Sequence, residues 1–155
     1  MTAPVRVRPV HVGDEVAWRR LFTAYREFYD LTPDEAVVDR VWAWLQDEEV
    51  EVRGLVAEQD GAVVGIAHHR RFHRPSSGTV GTYLDDLFVD PAARGSGAGR
   101  ALLDHLARAA RADGRSVVRW ITAEDNLVAR SLYDSVAIAT RWVTYDRPSG
   151  PPPSG

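Results

Sequence analysis

The sequence has no cysteine and only one methionine among its 155 residues. The missing thiols exclude disulfide bonds, thiolate zinc sites and a cysteine nucleophile. No apolar run approaches the roughly 20 residues that a membrane-spanning helix needs, and no charged-then-apolar leader opens the chain. We therefore expect a cytoplasmic protein that does not contact membranes.

The chain also lacks an excess of positive charge. Its formal net charge is −3, which argues against nucleic-acid binding because that binding depends on a basic face. A hydrophobic content of 45% in a chain of this length suits one domain with one core. The final segment, PSGPPPSG, has too few apolar side chains to be buried. We expect one domain over residues 1–147 and a disordered tail over residues 148–155.

The most informative stretch runs from Tyr83 to Leu103, YLDDLFVDPAARGSGAGRALL. Its first seven residues predict a buried strand, and apolar residues at helical spacing from Ala101 predict a helix. Between them lie three glycines, which tolerate positive φ and let a ligand approach the backbone: Gly95, Gly97 and Gly99. A glycine loop at a helix N-terminus presents unpaired N–H groups and the positive end of the helix dipole. The stretch therefore predicts an anion cradle.

Three kinds of phosphate-binding loop compete for this segment. A P-loop needs Lys followed by Ser or Thr, whereas Arg100 and Ala101 follow the last glycine here. The glycine spacing is also wrong for a dinucleotide fingerprint. What remains is Arg/Gln-x-x-Gly-x-Gly/Ala, which is met by Arg94, Gly97 and Gly99 after the strand DLFV. This segment resembles the acetyl-CoA pyrophosphate loop of the GNAT superfamily of N-acetyltransferases.

A second segment, AEDNLVARSLYDSVA, adds to the resemblance. It is similar to the GNAT segment in which Asn opens a helix and a Leu-Tyr pair follows, here Asn126 and Tyr133. The two segments resemble most closely the branch of spermidine/spermine and small amino-acid or histone-type acetyltransferases. Two departures stand out. Ala137 and Ile138 replace the frequent Gly-Phe, and one strand follows the helix where many relatives have two, which leads us to expect a homodimer that completes the last strand.

The pattern of apolar residues predicts the order β-α-α-β-β-β-α-β-α-β. A hairpin is expected at Asp60-Gly61, and Thr32, Pro33 and Glu35 are expected to open the second helix. The last strand is expected over residues 139–145, ATRWVTY. The fold class is thus α/β (α+β), a mixed central sheet of about six strands flanked by four helices, which is the order found in GNAT proteins.

The resemblance also implies site residues. Asp85 matches the acidic position of the polyamine branch and is expected to accept a proton from the acceptor amine, which is otherwise mostly protonated at pH 7. Strand alternation places Asp85 and Asp86 on opposite faces, and the alternative is that these acids merely pair with arginines. Tyr133 is expected to donate a proton to the leaving thiolate. Its alternative role is that of a core tyrosine.

The remaining site residues follow from the same resemblance. The backbone N–H of Val89 is expected to polarise the thioester carbonyl. The residues expected to bind acetyl-CoA are Leu87, Phe88, Val89, Arg94, Gly95, Ser96, Gly97, Ala98, Gly99, Arg100, Asn126 and Tyr133. The residues expected to contact the acceptor are Tyr25, Tyr29, Asp30 and Asp85. No metal is expected, and the histidine-rich run HHRRFHR is interpreted as a solvated end of the sheet or, alternatively, as a site for a substrate carboxylate.

These expectations describe an acetyl-CoA-dependent N-acetyltransferase. It would move an acetyl group to a primary amine of a small molecule, amino acid or peptide by direct transfer in a ternary complex, since no cysteine can form an acyl-enzyme. The alternative is a catalytically inactive CoA-binding sensor or interaction subunit.

Overall fold

The structure is a computed structural model in which residues 3–151 are described. The chain divides into two compact units, with the boundary between Ile121 and Thr122. The expected tail, residues 148–155, lies partly outside the described residues and remains a prediction. None of the described helices is long and apolar enough to cross a bilayer.

The first unit contains a five-stranded sheet and three helices. Its strands are β1 (Arg6–Pro9), β2 (Arg53–Gln59), β3 (Ala62–Arg74), β4 (Thr79–Val89) and β5 (Val118–Arg119). Its helices are α1 (Glu15–Phe28), α2 (Glu35–Gln46) and α3 (Ala98–Ala112), with short 3-10 turns at Val12–Asp14 and Pro91–Ala93. The strands lie in chain order, antiparallel from β1 to β4 and parallel between β4 and β5. The predicted mixed α/β fold is confirmed.

The β2–β3 connection has the geometry that its sequence predicts. Asp60 has φ 52° and Gly61 has φ 77°, so both central residues of the turn are left-handed. A two-residue turn of this kind matches the twist of the strands it joins. The hairpin prediction at Asp60-Gly61 is therefore confirmed.

Both faces of the sheet are covered by helices. On one face, α1 and α2 pack over a cluster of buried side chains: Trp18, Leu21, Phe22, Val38, Trp42, Val56, Ile66 and Phe88. On the other face lies α3, whose Leu102 would touch a Cβ added at Gly65 at 3.4 Å. Because Gly65 and Ile66 are neighbours on β3, their opposite environments follow from strand alternation. Two apolar layers therefore enclose the middle strands.

Three boundaries differ from the sequence expectations. Residues 139–145 form no strand, so the sheet of the described residues has five strands and not six. A β-prone segment becomes a strand only when another backbone satisfies its N–H and C=O groups, and no described strand pairs with this one. The strand expected between the third and fourth helices is present but short, Val118–Arg119. The cap of α2 is Asp34, whose side chain accepts from the backbone N–H groups of Ala36 and Val37.

The second unit contains one helix, α4 (Leu127–Val136). Asn126 caps it, and its side-chain oxygen accepts from the backbone N–H of Ala129 at 3.4 Å. The predicted start of this helix at Asn126 is confirmed.

Candidate functional site

The C-terminal part of β4, from Leu84 to Val89, pairs with a strand on one side only. Its contacts with β5 are limited to the pairs Thr82–Val118 and Tyr83–Arg119. From Leu84 to Val89, β3 is the only described strand that pairs with β4. The other edge of β4 therefore presents backbone groups that an extended ligand can bind.

A β-bulge lies at the start of this open segment. His68 of β3 pairs with Asp86, and His69 pairs with Leu84, which leaves Asp85 as the extra residue. Asp86 contacts the His68 ring at 2.8 Å, and Asp85 contacts the Arg70 guanidinium at 3.1 Å. His68 and Arg70 are two residues apart on one strand and so share a face.

Both carboxylates therefore lie on the face of the sheet that α1 covers. The expectation that Asp85 and Asp86 occupy opposite faces is wrong, because the bulge interrupts the alternation between them. A site on this face can use both carboxylates, whereas an unbroken strand would present only one.

The two carboxylates have opposite electrostatic environments. Burial raises the pKa of Asp85, and the charge and hydrogen bond of Arg70 offset this only in part. Burial would also raise the pKa of Asp86, but the hydrogen bonds from His68 and Tyr25 help to hold it below its usual range. At neutral pH, Asp86 is therefore the more firmly ionised of the two. Asp85 is the more basic carboxylate.

Tyr25 of α1 contacts Asp86. The Tyr25 hydroxyl donates to Oδ1 of Asp86 at 2.6 Å, and burial together with the Asp86 charge raises the pKa of this phenol. Tyr29 packs against the Tyr25 ring with a centroid distance of 4.9 Å. Asp30 follows α1 in a left-handed conformation, with φ 54°, and is exposed. Of Tyr25, Tyr29 and Asp30, which are expected at the acceptor site, Tyr25 contacts a site carboxylate directly.

His68 and Trp18 are site residues that the sequence reasoning missed. The sequence predicts a solvated sheet end around His68, but only 2% of the surface of this residue is exposed. The indole Nε1–H of the buried Trp18 donates to its Nε2 at 3.0 Å. The available signal was position, because His68 follows Ile66 by two residues and therefore shares its core face.

The glycine loop has the conformation that its sequence predicts. Gly95 has φ 82° and Gly97 has φ 88°, and Gly97 is the N-cap of α3. Nothing lies within 4 Å of the Cβ position of either residue, so the backbone is open to a ligand on that side. Ser96 Oγ accepts from the backbone N–H of Ala98 at 3.3 Å. Glycine conformation and helix direction thus combine as an anion cradle requires.

The start of this loop is held from both sides. The side chain of Asp90 accepts from the backbone N–H of Ala92 at 3.0 Å and pairs with Arg20 of α1 at 2.8 Å. The backbone N–H of Asp90 donates to the carbonyl of Val64. The loop therefore leaves the sheet at a fixed position, which favours a preformed binding site.

The other expected cofactor residues divide by exposure. Phe88 and Ala98 are buried, so the side chain of Phe88 belongs to the core and only its backbone is available to a ligand. Arg94 and Arg100 are exposed, before and after the glycines. The half-buried members of the set are Leu87, Val89, Ser96, Gly99, Asn126 and Tyr133. The loop and the arginines fit a diphosphate with its negative charge.

The two remaining expected residues lie on the helix of the second unit. Asn126 has a demonstrated role as the cap of α4. Tyr133 is half-buried on the same helix, seven residues later and so about two turns along. Within residues 3–151, no group of three or more His, Asp or Glu side chains is arranged to hold a metal ion.

Comparisons with known proteins agree with one another. The family model described as the Acetyltransferase (GNAT) family matches residues 17–137. The chain is 30% identical over 143 residues to the D-amino-acid N-acetyltransferase HPA3 of Saccharomyces cerevisiae, which covers 91% of this chain and 89% of the yeast protein. It is 34% identical over 144 residues to the mycothiol acetyltransferase of Nocardiopsis dassonvillei, covering 87% of this chain and 42% of that protein.

A solved structure has the same fold. The ribosomal-protein-alanine N-acetyltransferase from Brucella melitensis biovar Abortus superposes with a TM-score of 0.78 at 25% identity. The superposition covers 94% of this chain and 99% of that one.

Proposed function

Because this chain belongs to the Acetyltransferase (GNAT) family, we propose that it moves the acetyl group of acetyl-CoA directly to a primary amine. The family resemblance of the sequence motifs is confirmed, and the chain is an N-acetyltransferase enzyme. The observation that carries the proposal is the order of three structural features along β4 and the start of α3. A bulge with two carboxylates is followed by an open strand edge and then by the glycine cradle.

The cradle would hold the diphosphate of acetyl-CoA. Backbone N–H groups over residues 94–100 would bind its oxygens, with charge from Arg94 and Arg100. The open backbone of residues 87–89 would bind the extended arm next to the diphosphate. Asn126 and Tyr133 complete the proposed set. When bound, acetyl-CoA supplies an activated acetyl thioester.

Asp85 is proposed as the group that takes the proton from the acceptor. An alkylammonium has a pKa near 10.4, so only about one molecule in 2,500 is the reactive amine at pH 7. A nearby carboxylate of raised pKa favours the proton transfer, because it is a stronger base than a carboxylate of ordinary pKa. Transfer is direct, since the chain has no cysteine to carry the acetyl group.

Tyr133 is proposed as the proton donor to the leaving sulfur. A phenol with an ordinary pKa near 10 stays protonated at neutral pH and can donate to a thiolate whose thiol titrates near 8.5. The backbone N–H of Val89 is proposed to stabilise the charge that develops on the carbonyl oxygen.

The acceptor is proposed to be a small amine, amino acid or peptide. Relatives with different acceptor names, a D-amino acid and a ribosomal-protein alanine, share the amine of an amino acid. Tyr25, Tyr29, Asp30 and Asp85 are proposed to contact it. We further propose a cytoplasmic homodimer whose catalytic domain spans residues 1–147. In function, we place it with the spermidine/spermine and small amino-acid or histone-type branch of the family.

The test is thiol release from acetyl-CoA with a panel of D- and L-amino acids, spermidine and short peptides. Acceptor-dependent release of CoA, with the acetylated amine identified by mass spectrometry, supports the proposal. The control is acetyl-CoA without acceptor, which measures hydrolysis. Micromolar CoA binding by calorimetry with no acetylation of any panel member would contradict it and favour a CoA sensor.

A further inference from the structure

We propose that the buried pair Trp18–His68 positions Asp86, and that Asp86 binds the ammonium group of the acceptor before transfer. This proposal rests on the function proposed above. It assigns His68 and Trp18 as positioning residues that act through Asp86, and it gives the two neighbouring carboxylates different tasks.

The direction of each hydrogen bond is fixed by chemistry. An indole N–H can only donate, so Nε2 of His68 must accept the bond from Trp18 at 3.0 Å. The single proton of the neutral ring is therefore on Nδ1, which donates to Oδ2 of Asp86 at 2.8 Å. A second proton on Nε2 would face the indole N–H. Trp18 thus selects the tautomer in which His68 donates to Asp86.

Aromatic rings pack closely around this pair. Trp18 is fully buried, and its ring packs against Phe22 and Trp42 with centroid distances of 5.0 and 5.1 Å. Phe22 also meets the His68 ring edge-on at 5.2 Å. A tautomer and orientation that are fixed by packing transmit a fixed position to the carboxylate.

Asp86 combines a fixed position with access to solvent. His68 donates to one of its oxygens and Tyr25 to the other, and 24% of its side chain remains exposed. Each carboxylate oxygen accepts more than one hydrogen bond, so both retain capacity for a third donor. An ammonium group supplies charge and donors together. Asp85, which has the raised pKa, remains available to take the proton.

Steady-state kinetics tests the proposal, because a positioning role for His68 should change KM for the amine and leave the other parameters nearly unchanged. For His68→Leu, which has no hydrogen-bonding group, we expect KM for the amine to rise at least tenfold. We expect kcat to stay within threefold and KM for acetyl-CoA within twofold. His68→Gln, which can both donate and accept, should keep KM for the amine within threefold of wild type. The matched control is His73→Leu, the same change at an exposed position of β3, which should leave all three parameters unchanged.

Two results would overturn the proposal. One is an unchanged KM for the amine in His68→Leu. The other is a Gln variant as impaired as the Leu variant, because the shape of the ring and not its hydrogen bonds would then matter. If His68→Leu does not fold, Trp18→Phe removes the indole N–H and keeps an aromatic ring. It should raise KM for the amine at least threefold, and an unchanged KM for the amine would contradict the proposal.

Nitrogen NMR of the His68 ring gives a readout that does not need turnover. The wild type should show the proton on Nδ1, and Trp18→Phe should show a mixture of tautomers. Added n-butylammonium should shift the Nδ1 resonance of wild type but not that of Asp86→Asn. If the enzyme acetylates nothing, the proposed function fails while this titration still decides whether Asp86 binds an ammonium. No shift in wild type overturns the inference.

Discussion

At the scale of single residues, the site depends on a difference between two adjacent aspartates. Asp85 and Asp86 share a face of the sheet because of the bulge, yet the first pairs with an exposed arginine and the second with a buried histidine and a tyrosine. Neighbouring carboxylates whose pKa values are pushed apart are suited to separate acid-base roles. This division leads to the first prediction.

Replacing Asp85 by Asn should reduce kcat by about 100-fold or more, because the amine loses its proton acceptor. Binding of CoA should not change, since the cradle lies beyond the end of β4. The pair of measurements is initial velocity at saturating amine and calorimetry with CoA. Asp104→Asn, the same change at an exposed position of α3, is the control and should behave as wild type. An Asp85→Asn enzyme with full kcat would remove Asp85 from the mechanism.

Replacing Tyr133 by Phe removes one hydroxyl and retains the ring. If the phenol protonates the leaving sulfur, kcat should fall about tenfold to 100-fold at pH 7. The defect should shrink with an acyl donor whose thiol has a lower pKa, because such a leaving group needs less protonation. Rates with acetyl-CoA and with a more acidic acetyl thioester therefore separate this role from a packing role. Equal defects with both donors would refute the acid assignment.

At the scale of elements, the glycine loop and the start of α3 form one functional unit. Gly97 occupies a left-handed conformation at the helix N-cap, where a side chain would meet no neighbouring atom. Gly97→Ala therefore adds backbone strain without a steric clash, about 1–2 kcal/mol. We expect the dissociation constant of CoA to rise about five- to 30-fold, since binding must restore the strained conformation. Gly13→Ala, at an open position without positive φ, is the calorimetric control.

Close packing, and not backbone conformation, explains a glycine in β4. A Cβ at Gly81 would lie 2.6 Å from Phe72 Cε1 and 3.0 Å from Val117 Cγ1. Phe72 is the cross-strand partner of Gly81, and its ring also contacts Tyr83 and Arg119, so moving it would disturb both contacts. Gly81→Ala should lower the free energy of unfolding by about 1–3 kcal/mol, measured by urea denaturation. A variant as stable as Gly13→Ala would show that the ring moves freely.

The elements also show which features a sequence can predict. The glycine loop and the Asp60-Gly61 hairpin were predicted correctly because their conformations depend on the residues of the turn itself. The bulge at Asp85 depends on the register between β3 and β4, which no local pattern contains. The prediction of the last strand was wrong for a related reason. Residues 139–145 have strand propensity, but a strand needs a partner.

At the scale of the whole molecule, the first unit separates its tasks between the two faces of one sheet. The face under α1 carries the aromatic cluster with His68, Asp86 and Tyr25. The neighbouring residue His69 points away from that cluster, and the groups that act on its charge include Arg115 and His105. The two adjacent histidines of β3 thus lie in different environments, and His69 gives the stability of the protein a dependence on pH.

Burial first, and then the positive charges of Arg115 and Arg53, lower the pKa of His69 to about 4. An unfolded histidine has a pKa near 6.5, so between about pH 6.5 and pH 4 the unfolded chain binds a proton that the folded chain excludes. The contribution of His69 to stability is therefore complete above about pH 6.5 and is lost as the pH falls towards 4. Urea denaturation from pH 7.5 to 4.5 should show that the free energy of unfolding falls by at most about 3 kcal/mol because of this group.

His69→Gln should flatten the pH profile of the free energy of unfolding over that interval, whereas His73→Gln, at an exposed position of the same strand, should follow wild type. If the slopes of wild type and His69→Gln are equal, His69 is protonated in the folded protein and the charge balance of this face is different from the one described.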